Sequence, residues 1–195
     1  MSKRHRQPAE QSDLFDLASI MPEGFAYQDE IIPIGQEQAL LERFQALPFT
    51  PYDFHGYLGR RHVISFGWRY DLSTSTLQES DPIPDFLLAE RERAAAFAGV
   101  TADSLQQILI NKYAPGAGIG WHRDRPMYQD VIAVSLGFPC TLRFRRKLGH
   151  TWDRAAQVVR PRSIYLLRGA SRQAWQHSVP PVQDLRYSIT FRNFR

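Results

Sequence analysis

Cysteine, lysine and long apolar runs are what this chain has least of, and each shortage excludes a class of protein. One cysteine, Cys140, cannot build an internal disulfide framework and fits a reducing compartment. No apolar run approaches the roughly 20 residues that span a bilayer, so no membrane association is expected. The opening "MSKRHRQPAEQSDLFD" is basic but has no apolar stretch behind it, unlike a secretory signal, and the cytoplasm is the expected compartment. Three lysines stand against twenty-one arginines. Arginine suits bidentate contact with phosphate or carboxylate, which makes nucleic acid a reasonable partner. A base-composition bias across the proteome would write the same arginines. The net charge of +4 decides between neither reading, because it bears on association and not on fold.

What is present suits one globular domain. The 195 residues, 43% hydrophobic and 23% charged, are enough for one well-buried core. Residues 1 to about 30 are polar and mixed and read as a loosely ordered tail, with a single domain over 31–195. "IGQEQALLERFQAL" sets Leu40, Leu41, Phe44 and Leu47 at helical spacing and stops before Pro48. "RRHVISFGWRYD" reads as a strand, the Ser/Thr-rich "LSTSTLQESDPIPD" as a surface loop, and "FLLAERERAAAFAG" as an amphipathic helix stopped at Gly99. Beyond Gly99 the helical period disappears. Short segments of strand composition follow, among them "SLQQILINKYAP", "DVIAVSLGF", "TLRFRRK", "SIYLLRG" and "LRYSITFRN", split by Gly, Pro or polar turns. Many short strands after helices predict a mainly β fold with N-terminal helices, most simply a barrel or jelly roll.

One stretch, "GIGWHRDRP", carries chemistry. Residues i and i+2 of a strand share a face, so His122 and Asp124 can point together into a barrel mouth. Alone, a His-x-Asp pair is weak, since chance writes it into loops. One further histidine would complete a facial triad, which leaves three metal positions open and favours Fe(II) that activates oxygen. Of the six histidines, His5 falls in the tail, His150 in a turn, and His55 and His62 read as structural or surface residues. Only His177, in "QAWQHSV", lies in a late strand with apolar neighbours. Arg186 and Arg192 stand six apart in the terminal apolar strand and so send two guanidiniums to one inward face. Buried arginine is rarely tolerated without an anion. Either a dicarboxylate co-substrate or protein carboxylates at the rim must pair with them.

Taken in order, "NKYAPGAGIGWHRD", "VIAVSLG", "SRQAWQH" and "RYSITFR" resemble the AlkB family of iron- and 2-oxoglutarate-dependent dioxygenases, from about Val63 to Phe194. The resemblance implies a double-stranded β-helix (jelly roll) with Fe(II), 2-oxoglutarate and O2 as cofactors. It makes His122, Asp124 and His177 the iron ligands. It makes Arg186 the partner of the distal 2-oxoglutarate carboxylate, with a hydrogen bond from Tyr113, while Asn111 and Arg192 hold the end that chelates iron. On this reading the Gly-rich approach lets backbone pass close to the cofactor. Arg172 matches a family arginine on the substrate side. Trp68 and Tyr70 could stack on a flipped-out base with the His122 ring on its other face, although buried aromatics are as often plain core.

The activity so implied is oxidative demethylation of N-alkylated bases in nucleic acid, with DNA repair foremost, by a monomer acting on alkylated DNA or RNA. Formaldehyde, succinate and CO2 would be released. Three departures bear on the substrate. Pro126 stands where family members that repair DNA often carry an acidic residue, Ala170 where a Glu is usual, and "SVPPVQDL" leaves a short loop. The alternatives are a hydroxylase or demethylase of protein or tRNA, and a jelly-roll binding module that has lost catalysis. The intact set His122, Asp124, His177, Arg186 and Arg192 argues against the last.

Overall fold

The computed structural model of the protein describes residues 21–54, 57–71, 74 and 76–195, and the side chains of all of these except 53–54 and 57–59. His5 and His55 lie outside the described residues, as do positions 1–20 of the expected tail. In chain order the elements are β1 (Phe25–Gln28), α1 (Ile34–Gln45), β2 (Thr50–Phe54), β3 (Tyr57–Phe66), β4 (Trp68–Asp71), β5 (Thr76–Glu79) and α2 (Leu88–Ala98). After them come β6 (Gln107–Tyr113), β7 (Ile119–His122), β8 (Tyr128–Gly137), β9 (Cys140–Leu148), β10 (Thr151–Val159), β11 (Ser163–Leu167), α3 (Ala170–Gln173), β12 (Gln176–Val179) and β13 (Arg186–Phe194).

The strands form a seven-stranded sheet ordered β1-β11-β8-β13-β6-β3-β2, a four-stranded sheet ordered β10-β9-β12-β7, and the separate β4-β5 hairpin. Alternation along the strands explains the layers. On β13, Tyr187, Ile189 and Phe191 join Ile132, Val134 and Leu136 of β8 in a core shared with Leu40 and Phe44 of α1 and Ala94, Ala95 and Ala98 of α2. The opposite face of the large sheet, with Tyr113 and Val131, packs on Leu142, Phe144, Ala155 and Val179 of the small sheet. β8 is therefore covered on both faces, which is why "DVIAVSLG" reads as an unbroken apolar run. The result is the mainly β jelly roll backed by helices that the composition predicts. No helix among the described residues is long and apolar enough to cross a membrane.

A charge pair on buried Asp130 fastens the helical layer to the sheets. Arg168, just past β11, donates Nε and an Nη2 to the two oxygens of buried Asp130, both at 2.8 Å, and also reaches the Ala98 carbonyl at the end of α2 at 2.8 Å. A cation there also offsets the negative end of the helix dipole.

Three sequence expectations change. Phe25–Gln28, inside the stretch read as tail, is an edge strand paired with β11. "RRHVISFGWRYD" is two strands, broken at Gly67, whose φ of 75° disfavours any L side chain and where a Cβ would sit 2.2 Å from the Gln106 carbonyl oxygen. The Ser/Thr-rich loop contains β5, which pairs with β4 through Trp68↔Glu79 and Tyr70↔Leu77. Phe44 is fully buried against Phe86 and Tyr187. Phe44→Ala is expected to lower unfolding free energy by about 3–5 kcal/mol in urea denaturation, the usual cost of an aromatic-sized cavity.

Candidate metal centre

β7 ends at His122, and the residue opposite it on β12 is His177. The two rings meet with centroids 4.2 Å apart at 58°. Asp124 is not the next inward residue of a strand, as the spacing suggests; the chain leaves β7 first, and the carboxylate arrives from the following loop. Its Oδ2 lies 3.5 Å from His177 Nε2. One donor atom from each of the three residues falls within 4.8 Å of the others.

Each member of this cluster has its second polar atom accounted for differently. His122 Nδ1 lies 2.9 Å from the Gly120 carbonyl, which can only accept, so Nδ1 is the donor of this bond and Nε2 is the nitrogen left for a metal. Arg192 donates to Asp124 Oδ1 at 3.2 Å and leaves Oδ2 without a hydrogen-bond partner. His177 Nδ1 also has none. Burial works against ionisation of Asp124, but the Arg192 guanidinium foremost outweighs it and holds the carboxyl below the usual carboxylate range. Burial, with the neighbouring His122 and Arg192, pushes His177 down to about 4, so its imidazole is neutral at pH 7.

The loop that carries Asp124 is held on two sides. Arg172, matched from sequence to the substrate side, is only 2% exposed and donates to the Arg125 carbonyl at 3.0 Å. The Arg125 guanidinium lies 3.6 Å from the centre of the Tyr70 ring. Trp68 meets Phe194 edge-on at 6.3 Å. Both sequence-selected aromatics are half-buried, and Tyr70 already has a cation on one face.

Along β13, Arg186, Ser188, Thr190 and Arg192 share the face turned toward the small sheet, opposite Tyr113, Asn111, Leu109 and Gln107 of β6. Arg192 follows the second reading, pairing with a protein carboxylate, Asp124, and with Gln107 at 3.2 Å. Arg186 does not. It is 1% exposed, donates to Ser135 Oγ at 3.2 Å and lies 4.9 Å from the centre of the Tyr113 ring, yet its Nε and one Nη have no partner. No carboxylate among the described residues pairs with it. Burial opposes its charge, but Cys140, Tyr113 and Tyr165 around it keep its pKa raised.

Asn111 is buried and accepts from Arg61 at 2.9 Å while donating to Ser188 Oγ at 3.3 Å. Arg61 is only 7% exposed and stacks on Tyr52 at 4.1 Å. It sits opposite Tyr113 in the β3–β6 ladder, a pairing that the local sequence does not announce. In the Gly-rich run, a Cβ on Gly118 would lie 2.7 Å from the Val179 carbonyl oxygen, so this backbone packs close to the end of β12.

Two imidazoles and a carboxylate suit a divalent first-row metal with open positions. Of the orphaned buried atoms, Asp124 Oδ2 belongs to the cluster, and Arg186 Nε and Nη1 and Arg192 Nε lie on one face of β13; a native fold seldom leaves such buried groups unpaired without a ligand to satisfy them. The residues present therefore fit both a metal and an anion. The pH dependence of the metal-free protein follows from His177. With a folded pKa near 4 and an unfolded value of about 6.5, the unfolded chain takes up a proton that the folded chain refuses. Stability is full above pH 6.5 and falls by about 3 kcal/mol as pH drops to 4. Asp124 adds a loss in the same direction further down. Denaturation of chelator-treated His177→Phe between these pH values is expected to show a correspondingly smaller loss than the parent protein.

Comparison with known proteins agrees with this chemistry. A model of the 2OG-Fe(II) oxygenase superfamily matches residues 43–192. The Mus musculus tRNA (carboxymethyluridine(34)-5-O)-methyltransferase ALKBH8 is 30% identical over 168 residues, covering 83% of this chain but 25% of that protein. The alpha-ketoglutarate-dependent dioxygenase AlkB of Escherichia coli (strain K12) is 28% identical over 112 residues, covering 52% of this chain and 51% of that protein. The match thus spans a quarter to a half of these curated relatives. The solved structure of OsALKBH1 superposes with a TM-score of 0.65 at 16% identity over 87% of this chain and 96% of the other, a likeness of fold. The chain belongs to the 2OG-Fe(II) oxygenase superfamily, in the AlkB family of dioxygenases that use Fe(II), 2-oxoglutarate and O2.

Proposed function

We propose that this chain is an Fe(II)- and 2-oxoglutarate-dependent dioxygenase that oxidatively demethylates N-alkylated bases in nucleic acid. The observation that carries the reading is Arg186, a buried and unpaired guanidinium on the same strand face as the arginine that holds Asp124. When bound, Fe(II) with 2-oxoglutarate and O2 supplies oxidative decarboxylation to succinate and CO2 coupled to hydroxylation of a C–H bond.

The protein's part is to bind, orient and exclude water. His122 Nε2, Asp124 Oδ2 and His177 Nε2 would hold the metal. Arg192 keeps Asp124 ionised and fixes which oxygen is free. Arg186 would take the distal carboxylate of the co-substrate, beside Tyr113, while Asn111, its amide fixed by Arg61, faces the chelating end. Arg172 holds the Asp124 loop from behind. Trp68 and Tyr70 stand beside that loop as candidates to stack on an extruded or single-stranded base. A hydroxylated N-methyl group then leaves as formaldehyde and the base is restored.

Nucleic acid is favoured by the mouse relative, whose name carries tRNA. That name, together with Pro126 of this chain in place of an acidic residue, supports RNA as the second reading. The test is formaldehyde and succinate release from DNA and RNA oligonucleotides bearing 1-methyladenine or 3-methylcytosine. Stoichiometric release from either supports the reading; succinate without formaldehyde from both would move the substrate elsewhere. Arg186→Gln is expected to raise the 2-oxoglutarate KM on the order of 100-fold, about 3 kcal/mol, with metal binding retained.

A further inference from the structure

The small sheet turns one face to the core and the other to solvent. Leu142 and Phe144 of β9 and Ala155 and Val159 of β10 are buried, so Arg143, Arg145 and Lys147, and across the ladder Trp152, Arg154, Ala156 and Val158, face outward. β12 adds Gln176 and Ser178, and β7 adds Trp121, on the reverse of the strands that present His177 and His122 inward. No Asp or Glu occupies an outward position on these four strands. The carboxylate of β10, Asp153, turns the other way and pairs with Arg146 at 2.8 Å.

The outward cations are pre-arranged. Arg145 lies between two indoles, 4.4 Å from the Trp121 ring centre and 4.6 Å from that of Trp152, and Arg143 stacks on Trp121 at 5.1 Å. Arg145 Nε donates to Gln176 at 2.7 Å and Arg143 Nε to Ser178 at 3.1 Å. These contacts fix the two planes and leave their terminal nitrogens to an external acceptor. Arg154 stands directly opposite Arg145 in the ladder. Like charges so placed destabilise an antiparallel pair, and no carboxylate among the described residues relieves them. Trp152 remains 41% exposed at the end of the row.

We propose that this outer face is a second binding surface, for single-stranded nucleic acid. Arg143, Arg145, Lys147 and Arg154 take backbone phosphates, and Trp152 offers a platform for an unpaired base. An alternating row of guanidiniums and indoles with no acidic neighbour matches a ligand that repeats phosphate and base. The surface extends the function proposed above and rests on it in one respect. β7 is the edge strand of the small sheet, so a polynucleotide lying on the outer face reaches the His122 side by crossing that edge. The surface would hold a long substrate while the mouth holds the base.

The test uses the full chain and an unmodified single-stranded oligonucleotide, with affinity followed by fluorescence anisotropy across a salt series. The double variant Lys147→Glu/Arg154→Glu is expected to weaken binding at least tenfold and to make the log–log salt slope shallower by about 1.4. Trp152→Ala is expected to weaken binding severalfold without changing that slope. In both variants, 2-oxoglutarate turnover without nucleic acid and the KM for a methylated trinucleotide stay at parental values, while the KM for a long methylated oligonucleotide rises. Oligonucleotide affinity unchanged in both variants overturns the proposal. So does a loss confined to vesicles of anionic phospholipid, which would make the face a membrane contact. Formaldehyde release with unchanged affinity would remove this surface and leave the demethylase; variant-sensitive binding with no formaldehyde would do the reverse.

Discussion

His122 and His177 meet because two short strands pair antiparallel with these residues opposite one another, and the metal cluster depends on that register. A slip of one residue would turn one imidazole to the outer surface, where Trp121 and Gln176 now stand. The register is pinned locally. Gly118 packs backbone to backbone against Val179 and the two prolines after it, and the chain beside it exchanges hydrogen bonds with Val182. The ladder itself is irregular between His177 and Val179, and it is this close packing that fixes where the irregularity falls. Asp124 then needs no strand of its own, because Arg172 and Arg192 hold its loop and its carboxylate.

Charge gives the second constraint. Arg61, Arg172, Arg186 and Arg192 are all largely buried, and among them Asp124 pairs only with Arg192. Asp130 is committed elsewhere, to Arg168. A divalent cation placed among the three ligands would raise this positive excess, and a dianion would offset it.

Much of this was legible in the residues. Alternation identified the inward pair Arg186 and Arg192 on β13, and Gly99 in the left-handed region ends α2 where the sequence says it should. His177 stood out because it alone lay in a late apolar strand. What escaped depends on pairings between distant segments. Arg61 looks like any surface arginine until β3 is set beside β6. Nothing in the sequence around Arg172 shows that the Asp124 loop rests on it. His122 and Asp124 come together as their spacing suggests but not on one strand, because Asp124 lies in a loop, where side chains follow no alternation. The β4–β5 hairpin was hidden by Ser and Thr, which suit turns and exposed edge strands equally well.

The backbone of that hairpin leaves and rejoins the barrel at Gly67. The Gly67 amide donates to the Asp81 carbonyl and its own carbonyl accepts from the Ser80 amide, so the excursion leaves and returns through one clamp beside Gln106. Two of its side chains also reach back: Trp68 packs on Phe194 of β13, and Tyr70 lies under the Arg125 guanidinium of the Asp124 loop. A substitution at either position is therefore felt at the loop that carries Asp124 and at the end of the strand that carries its arginine partner.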